Sequence, residues 1–199
     1  MTLPQDILGQ FNQLDKALID ASSIIYANKA HFLKRLASAV TLFSIHEILS
    51  EAGSISDNIK PLSHNGKTLS NDQKLVACAL RFDLPVISED KKILMAMKSA
   101  RKPFFNSLMM LNFLLYRQMI DNRQYAQYHL ALRQFARYSD EIWQYGARIH
   151  ASVKELISDR GPSRVPSPAT GVAHTPGSAA VDNRVGRHEI ACKKGDSHG

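Results

Sequence analysis

The chain has 199 residues, 44% hydrophobic and 22% charged, with 25 Lys and Arg against 18 Asp and Glu and a formal net charge of +7. That length allows one full domain with something extra, the composition is that of an ordinary globular protein, and no apolar run approaches the roughly 18 residues of a membrane span. The basic balance suits a polyanionic partner without identifying one.

The two cysteines, Cys78 and Cys192, are too few for a disulfide framework or a thiolate metal site. Residues 1–6 show neither a basic n-region nor an apolar h-region, so the expected setting is the reducing cytoplasm.

In chain order, a modest amphipathic helix is predicted over 5–14. The apolar run 16–20 reads as a first strand and ends on Asp20. A helical period follows over 22–37, then a second strand over 39–43, rich in β-branched and aromatic residues. After a helix over 45–53 comes a weak strand at 59–62, where Pro61 suits only a sheet edge. The helix over 70–82 has a sharp start, with Ser70 as N-cap and Gln73 at capping-box spacing. Strand 84–88, helix 90–100 and strand 102–105 complete the alternation. Strands alternating with helices of this length predict an α/β fold, three layers deep, with a central parallel sheet covered on both faces.

Beyond residue 106 the pattern is helical throughout. Segment 107–119 is apolar almost all round, and 122–138 and 139–157 are amphipathic, with Tyr125, Tyr128, Leu132 and Phe135 at helical spacing. That aromatic stripe reads as packing rather than a base-stacking platform. Composition then changes. Residues 158–199 contain no aromatic residue and no Leu, yet hold six of the ten glycines and four of the eight prolines. Such a segment cannot bury enough apolar surface to offset its ordering entropy, so it is predicted to be a disordered tail. The expected organisation is a core over 1–106, a helical extension packed on it over 107–157, and the tail over 158–199.

Ligands of open parallel sheets bind outside the carboxyl ends of the strands. Asp20 stands directly after the first strand and Asp90 two residues past the fourth. Asp72 lies in the first turn of the capped helix, where the helix dipole favours a carboxylate. Glu47 and Glu51 share a helix face after the second strand. Each has an ordinary structural role open to it: Asp20 and Asp90 as N-caps, Asp72 as a dipole-favoured acid, Glu47 and Glu51 as a solvated face. Converging at one sheet edge, however, such acids repel each other unless a cation neutralises them. An all-oxygen set favours Mg²⁺ or Mn²⁺ over zinc.

Four segments carry a family resemblance, in order: Ile19-Asp20-Ala21-Ser22-Ser23, Phe43-Ser44-Ile45-His46-Glu47-Ile48-Leu49-Ser50-Glu51, Ser70-Asn71-Asp72-Gln73 and Ile87-Ser88-Glu89-Asp90-Lys91. Together they resemble the successive motifs of PIN domains, over roughly residues 16–106. The resemblance implies an α/β/α divalent-metal-dependent nuclease, usually acting on RNA. It implies Asp20, Glu51, Asp72 and Asp90 as metal-binding and catalytic positions, with Glu47 the fallback for Glu51, and Mg²⁺ or Mn²⁺ as cofactor. Ser22 and Ser88 match hydroxyls that position carboxylates or water, and Glu89 could be an outer acid.

Lys91 and Lys92, with Lys98, Arg101 and Lys102 behind them, could grip an RNA backbone or form a plain solvated face. His46 could touch substrate, although a half-buried structural role is the stronger expectation for it. The helical extension, longer than a minimal toxin-type PIN domain carries, could serve a homodimer or an antitoxin-like partner. The alternative of another class is a non-catalytic PIN-like RNA-binding or protein-interaction module. Phosphatases of the haloacid-dehalogenase type also open on Asp after a strand, but they want a second Asp two residues on, where this chain has Ser22.

Overall fold

A computed structural model describes residues 4–53, 58–63 and 69–159. Met1–Ser163 forms one compact unit, and Arg164–Gly199 falls wholly outside the described residues. The elements in order are α1 (Pro4–Asn12), β1 (Lys16–Ile19), α2 (Ala21–Lys29), α3 (Leu33–Ala39), β2 (Thr41–Ile45), α4 (His46–Ala52), β3 (Lys60–Leu62), α5 (Asn71–Phe82), β4 (Val86–Ile87), α6 (Lys91–Ser99), β5 (Phe104–Phe105), α7 (Ser107–Tyr116), α8 (Asn122–Arg133) and α9 (Asp140–Asp159). Five parallel strands lie in the order β3-β2-β1-β4-β5, and helices flank them in a three-layer α/β arrangement. No helix of the described residues is long and apolar enough to cross a membrane.

Burial explains the sequence pattern. Ala17, Leu18 and Ile19 of β1 are completely buried, as an apolar run in a sheet covered on both faces requires. β3, the strand with Pro61, is indeed an edge, where a missing N–H disturbs no ladder on its open side. The capping box of α5 is complete: the Gln73 N–H donates to Ser70 Oγ and the Ser70 N–H to Gln73 Oε1.

Several expectations needed correction, among them the helix predicted over 122–138, which ends at Arg133. The predicted helix over 22–37 is two helices, broken at Ala30–Phe32, where His31 adopts φ 66°. That turn lets Phe32 and Leu36 enter the core from a second direction. The second strand runs over Thr41–Ile45, two residues later than predicted, because α3 takes Ala39. Ser44 therefore lies within the strand, and its hydroxyl donates to the Ile19 carbonyl at 2.7 Å. The predicted tail over 158–199 begins too early: Ser158 and Asp159 belong to α9, and the rest lies outside the described residues.

α7 is buried along its whole length and packs against α2, α3, α8 and α9. Its one strongly polar side chain, Asn112, is satisfied. The amide donates to the Leu108 and Gly146 carbonyls, both at 3.2 Å, and accepts from the Tyr125 hydroxyl at 3.0 Å. One side chain thus joins α7, α8 and α9, and a partner lost there leaves a buried polar group at a cost of about 1–3 kcal/mol. The aromatic stripe is packing: Tyr128 of α8 meets Phe32, and Phe135, just past the end of α8, meets Tyr26. Phe11 of α1 closes the same core against Phe105, Phe113 and Tyr116.

α7 and α9 approach so closely at Gly146 that a Cβ there would stand 2.5 Å from Leu108 Cδ2. Leu108 is itself buried, and its Cγ as well as its Cδ2 would stand within 3.0 Å of that Cβ. Gly146→Ala is therefore expected to lower stability by roughly 1 kcal/mol, overpacking of about 1–3 kcal/mol outweighing a helix-propensity gain of about 1 kcal/mol. Gly9→Ala in α1, where a Cβ meets nothing within 4 Å, should instead raise stability by up to about 1 kcal/mol. Chemical denaturation of the two variants checks the opposite signs.

Tyr125, His150, His129 and Trp143 form a continuous stack, with the Tyr125 and His150 rings 4.1 Å apart and nearly parallel. Burial pushes the pKa of both imidazoles below the ordinary 6.5, helped by Arg133 at His129 and by Lys154 at His150. The unfolded chain then takes up protons before the folded chain does, so stability should fall as pH drops through 6.5 and go on falling to the depressed pKa values. His150→Phe, which keeps the stack, should flatten part of that slope in thermal unfolding curves collected from pH 7.5 to 5.

Candidate functional site

Strand order places a topological switch between β1 and β4. From β1 the chain builds outward through β2 and β3, then returns to β4 on the other side of β1. The crevice beyond the carboxyl ends of two such strands is where open α/β sheets bind ligands. Asp20 and Ser88 are the first residues past these strands, following the paired Ile19 and Ile87.

Asp20 caps α2 and is only 4% exposed. Its Oδ1 accepts the Ser23 N–H at 2.7 Å, and its Oδ2 accepts the hydroxyls of Ser22 at 2.9 Å and Ser88 at 2.5 Å. Ser88 Oγ in turn accepts the Asp90 N–H at 3.0 Å. Both serines therefore position the Asp20 carboxylate, and Ser88 links it to the loop that carries Asp90.

Asp90 caps α6, with Oδ1 accepting the Lys92 N–H at 2.6 Å and the Ile93 N–H at 3.3 Å. Its Oδ2 accepts no hydrogen bond from the described residues. Asp72, in the first turn of α5, has no hydrogen-bond or ion-pair partner among them either. Its pKa is raised, first by partial burial and then by the charges of Asp90 and Asp20, with a further push from Glu51; Lys92 partly opposes this. Asp20, Glu51 and Asp90 thus sit within electrostatic reach of Asp72.

The two glutamates of α4 part company. Glu47 forms an ion pair with Lys74 at 2.6 Å, and that contact lowers its pKa. Glu51 accepts the Asn71 amide at 2.7 Å, next in sequence to Asp72, and adds to the field there. Glu51 is therefore the one that joins the acid group, while Glu47 is neutralised by α5.

Glu89 faces the helical extension. It accepts the Ser107 N–H at 2.8 Å, the Tyr138 hydroxyl, and the Ser23 hydroxyl at 3.3 Å. Burial raises its pKa, against the pull of the Ser107 and Tyr138 hydrogen bonds. The loop of Asp90 is thereby tied to α2, α7 and the α8–α9 connection.

Lys91 and Lys92 are exposed in the first turn of α6 beside Asp90. Lys98, Arg101 and Lys102 stand at the opposite end of that helix, about 12 Å along its axis, and Lys102 is paired with Asp83 at 2.5 Å. Lys98, seven residues after Lys91, shares a face of α6 with it. His46 is exposed rather than half-buried as expected, because it opens α4 at the outer end of β2. Sequence reasoning missed Ser23, Asn71, Lys74 and Tyr138. Ser23 and Asn71 stand next to motif residues, whereas nothing in the local sequence marks Lys74 or Tyr138.

Asp20, Glu51, Asp72 and Asp90 offer only hard oxygen donors, with unused lone pairs on Asp72 and Asp90 and mutual repulsion at Asp72. In chemistry and charge they fit Mg²⁺ or Mn²⁺. Among the described residues, no group of three or more Asp, Glu, His or Cys side chains is gathered closely enough to hold an ion as it stands. No protein-family model matches the chain, and no curated protein or solved structure is significantly similar to it.

The repulsion has a measurable sign. A carboxyl whose folded pKa lies above its ordinary 3.8 subtracts from stability once it is ionised, and the deficit disappears as pH falls below that value. Asp72→Asn should therefore raise the melting temperature near pH 7 in EDTA, and the gain should shrink towards pH 3.5. Adding Mn²⁺ should stabilise wild type more than the variant. Equal melting temperatures in EDTA would mean that the acids do not interact.

Proposed function

We propose that the protein is a divalent-metal-dependent ribonuclease of the PIN type, hydrolysing phosphodiester bonds with a metal-activated water. The observation that carries this reading is the acid group at the β1/β4 switch point: Asp20 and the Ser88–Asp90 loop joined through Ser88, with Asp72 in the field of the other three carboxylates. The order of the four motifs in sequence supports it independently.

On this reading Asp20, Glu51, Asp72 and Asp90 hold one or two Mg²⁺ or Mn²⁺ ions. When bound, such ions supply an activated water and stabilise charge on the phosphate and the leaving oxygen. The chain's own residues do the positioning. Ser22 and Ser88 fix the plane of the Asp20 carboxylate, so its remaining lone pair has a set direction. The N–H groups of Lys92 and Ile93 hold Asp90 Oδ1, which leaves Oδ2 without a hydrogen-bond partner among the described residues. Lys91 and Lys92 stand where a polyanionic backbone would pass, so binding should weaken with salt. RNA is the proposed substrate. No side-chain nucleophile is needed.

A second reading, a non-catalytic RNA-binding or protein-interaction module on the same fold, is favoured by one observation: the carboxylates do not converge on one point. The two readings separate in one assay. Cleavage of mixed RNA should require Mn²⁺ or Mg²⁺, stop with EDTA, and fall by roughly a hundredfold or more in Asp72→Asn or Asp90→Asn, the scale of several kcal/mol of metal-derived stabilisation. Ser88→Ala should weaken metal affinity by about 10–100-fold, as loss of a ligand-orienting partner does. RNA bound but left intact under every metal condition, with variants indistinguishable from wild type, would establish the module instead.

A further inference from the structure

A cleft of about 480 Å³ lies along the outer side of β5, remote from the acid group. Its walls are apolar: Ile7 from α1, Leu94 from α6, Phe104 from β5, Met109 from α7 and Ile142 from α9. Four helices and an edge strand therefore contribute to one concavity, and its size falls within the roughly 300–1,000 Å³ usual for small-molecule sites.

Its polar lining is the amides of Gln10 and Asn106, the Tyr145 hydroxyl and the three cations Lys98, Arg101 and Lys102. Lys98 and Arg101 are exposed at the rim and form no ion pair among the described residues, while Lys102 beside them is spent on Asp83. Arg101 holds its place in a left-handed turn, at φ 55°. Inside the cleft the Tyr145 hydroxyl is buried and has no hydrogen-bond partner, and such a group costs about 1–3 kcal/mol when nothing satisfies it. No carboxylate lines the cleft. The site offers apolar walls and, in Lys98 and Arg101, two cations without an ion-pair partner among the described residues.

We propose that this cleft binds a small amphipathic anion, an acyl chain ending in a carboxylate, with the chain against the apolar walls and the head group between Lys98 and Arg101. An added peptide strand fits less well. β5 is only two residues long and follows Pro103, the features that blunt a sheet edge against pairing. The chain's own residues 160–199 fit poorly too, since they carry six Lys and Arg against three Asp and Glu and would meet like charge at the rim.

The test is isothermal titration of the full-length protein with decanoate below its micellar range, at fixed ionic strength. Decanol, decyltrimethylammonium, and vesicles of phosphatidylglycerol or phosphatidylcholine serve as comparison ligands. Saturable one-to-one binding of decanoate is expected, with decanol and decyltrimethylammonium at least about tenfold weaker, the scale of a charge-assisted contact. Lys98→Ala/Arg101→Ala should weaken decanoate by a similar factor. Ile142→Trp should block it, with folding of each variant verified by thermal unfolding. Equal binding of all three decyl compounds, an undiminished affinity in both Lys98→Ala/Arg101→Ala and Ile142→Trp, or no saturable decanoate binding would overturn the proposal. So would binding to phosphatidylglycerol vesicles without binding to free decanoate, which would show adsorption of a basic surface instead.

Discussion

The Asp20 carboxylate is the point on which the candidate site depends. It is nearly inaccessible to solvent, and a polar group in that position is tolerable only when hydrogen bonds replace the water it has lost. Three donors from two separate parts of the chain do so: Ser22 and Ser23 from the helix it caps, and Ser88 from the far side of the switch point. Because Ser88 also accepts the Asp90 N–H, the satisfaction of one buried acid fixes the backbone that presents the second. β1 and β4 are paired through only two registers, Leu18 with Val86 and Ile19 with Ile87. The Asp20–Ser88 hydrogen bond extends their alignment one residue further, to the point where the sheet ends and the crevice begins.

Glu89 plays the corresponding role on the other side of the loop. Its neighbours Ser88 and Asp90 turn towards the acids, while Glu89 turns towards the helices after residue 106. There Ser107 and Tyr138 hold it across the start of α7 and the α8–α9 connection. Those helices are therefore more than a cover for the sheet. Asn112 joins α7, α8 and α9 into one block, and Glu89 anchors that block to the loop of Asp90. Loosening the block would reach the acids through two hydrogen bonds rather than through the sheet.

Much of the architecture was legible in the sequence because its signals are local. The apolar run 16–20 read as a strand, Pro61 pointed to an edge, and Ser70 with Gln73 marked the start of α5 to the residue. The break at His31 was not legible: it depends on Phe32 and Leu36 having a common core to enter, and residues 22–37 taken alone keep an unbroken helical period. The same holds for the site. Asp20, Asp72 and Asp90 were legible as acids following strands or opening helices. The choice between Glu47 and Glu51 needed the position of Lys74, a residue 27 positions away from Glu47 with no local mark of its role. Tyr138 lies 49 positions from Glu89 and was invisible for the same reason.

Asp20 and Asp90 are also ordinary N-caps, and capping by itself is evidence of nothing beyond a helix start. What sets them apart is how much of each carboxylate the cap consumes. A carboxylate has about four acceptor positions. Asp90 spends one oxygen on two N–H groups of its helix and leaves the other without a partner, although Lys91 and Lys92 are next to it in sequence. Asp72 spends nothing at all, and its ionisation is opposed by partial burial and by the charges of Asp90, Asp20 and Glu51, which Lys92 only partly offsets. A surface selected only for stability has cheap ways to remove such a conflict, as α4 does one turn away by pairing Glu47 with Lys74. On the proposed reading, a bound Mg²⁺ or Mn²⁺ would relieve the charge of the other three carboxylates on Asp72, as Lys74 relieves that of Glu47.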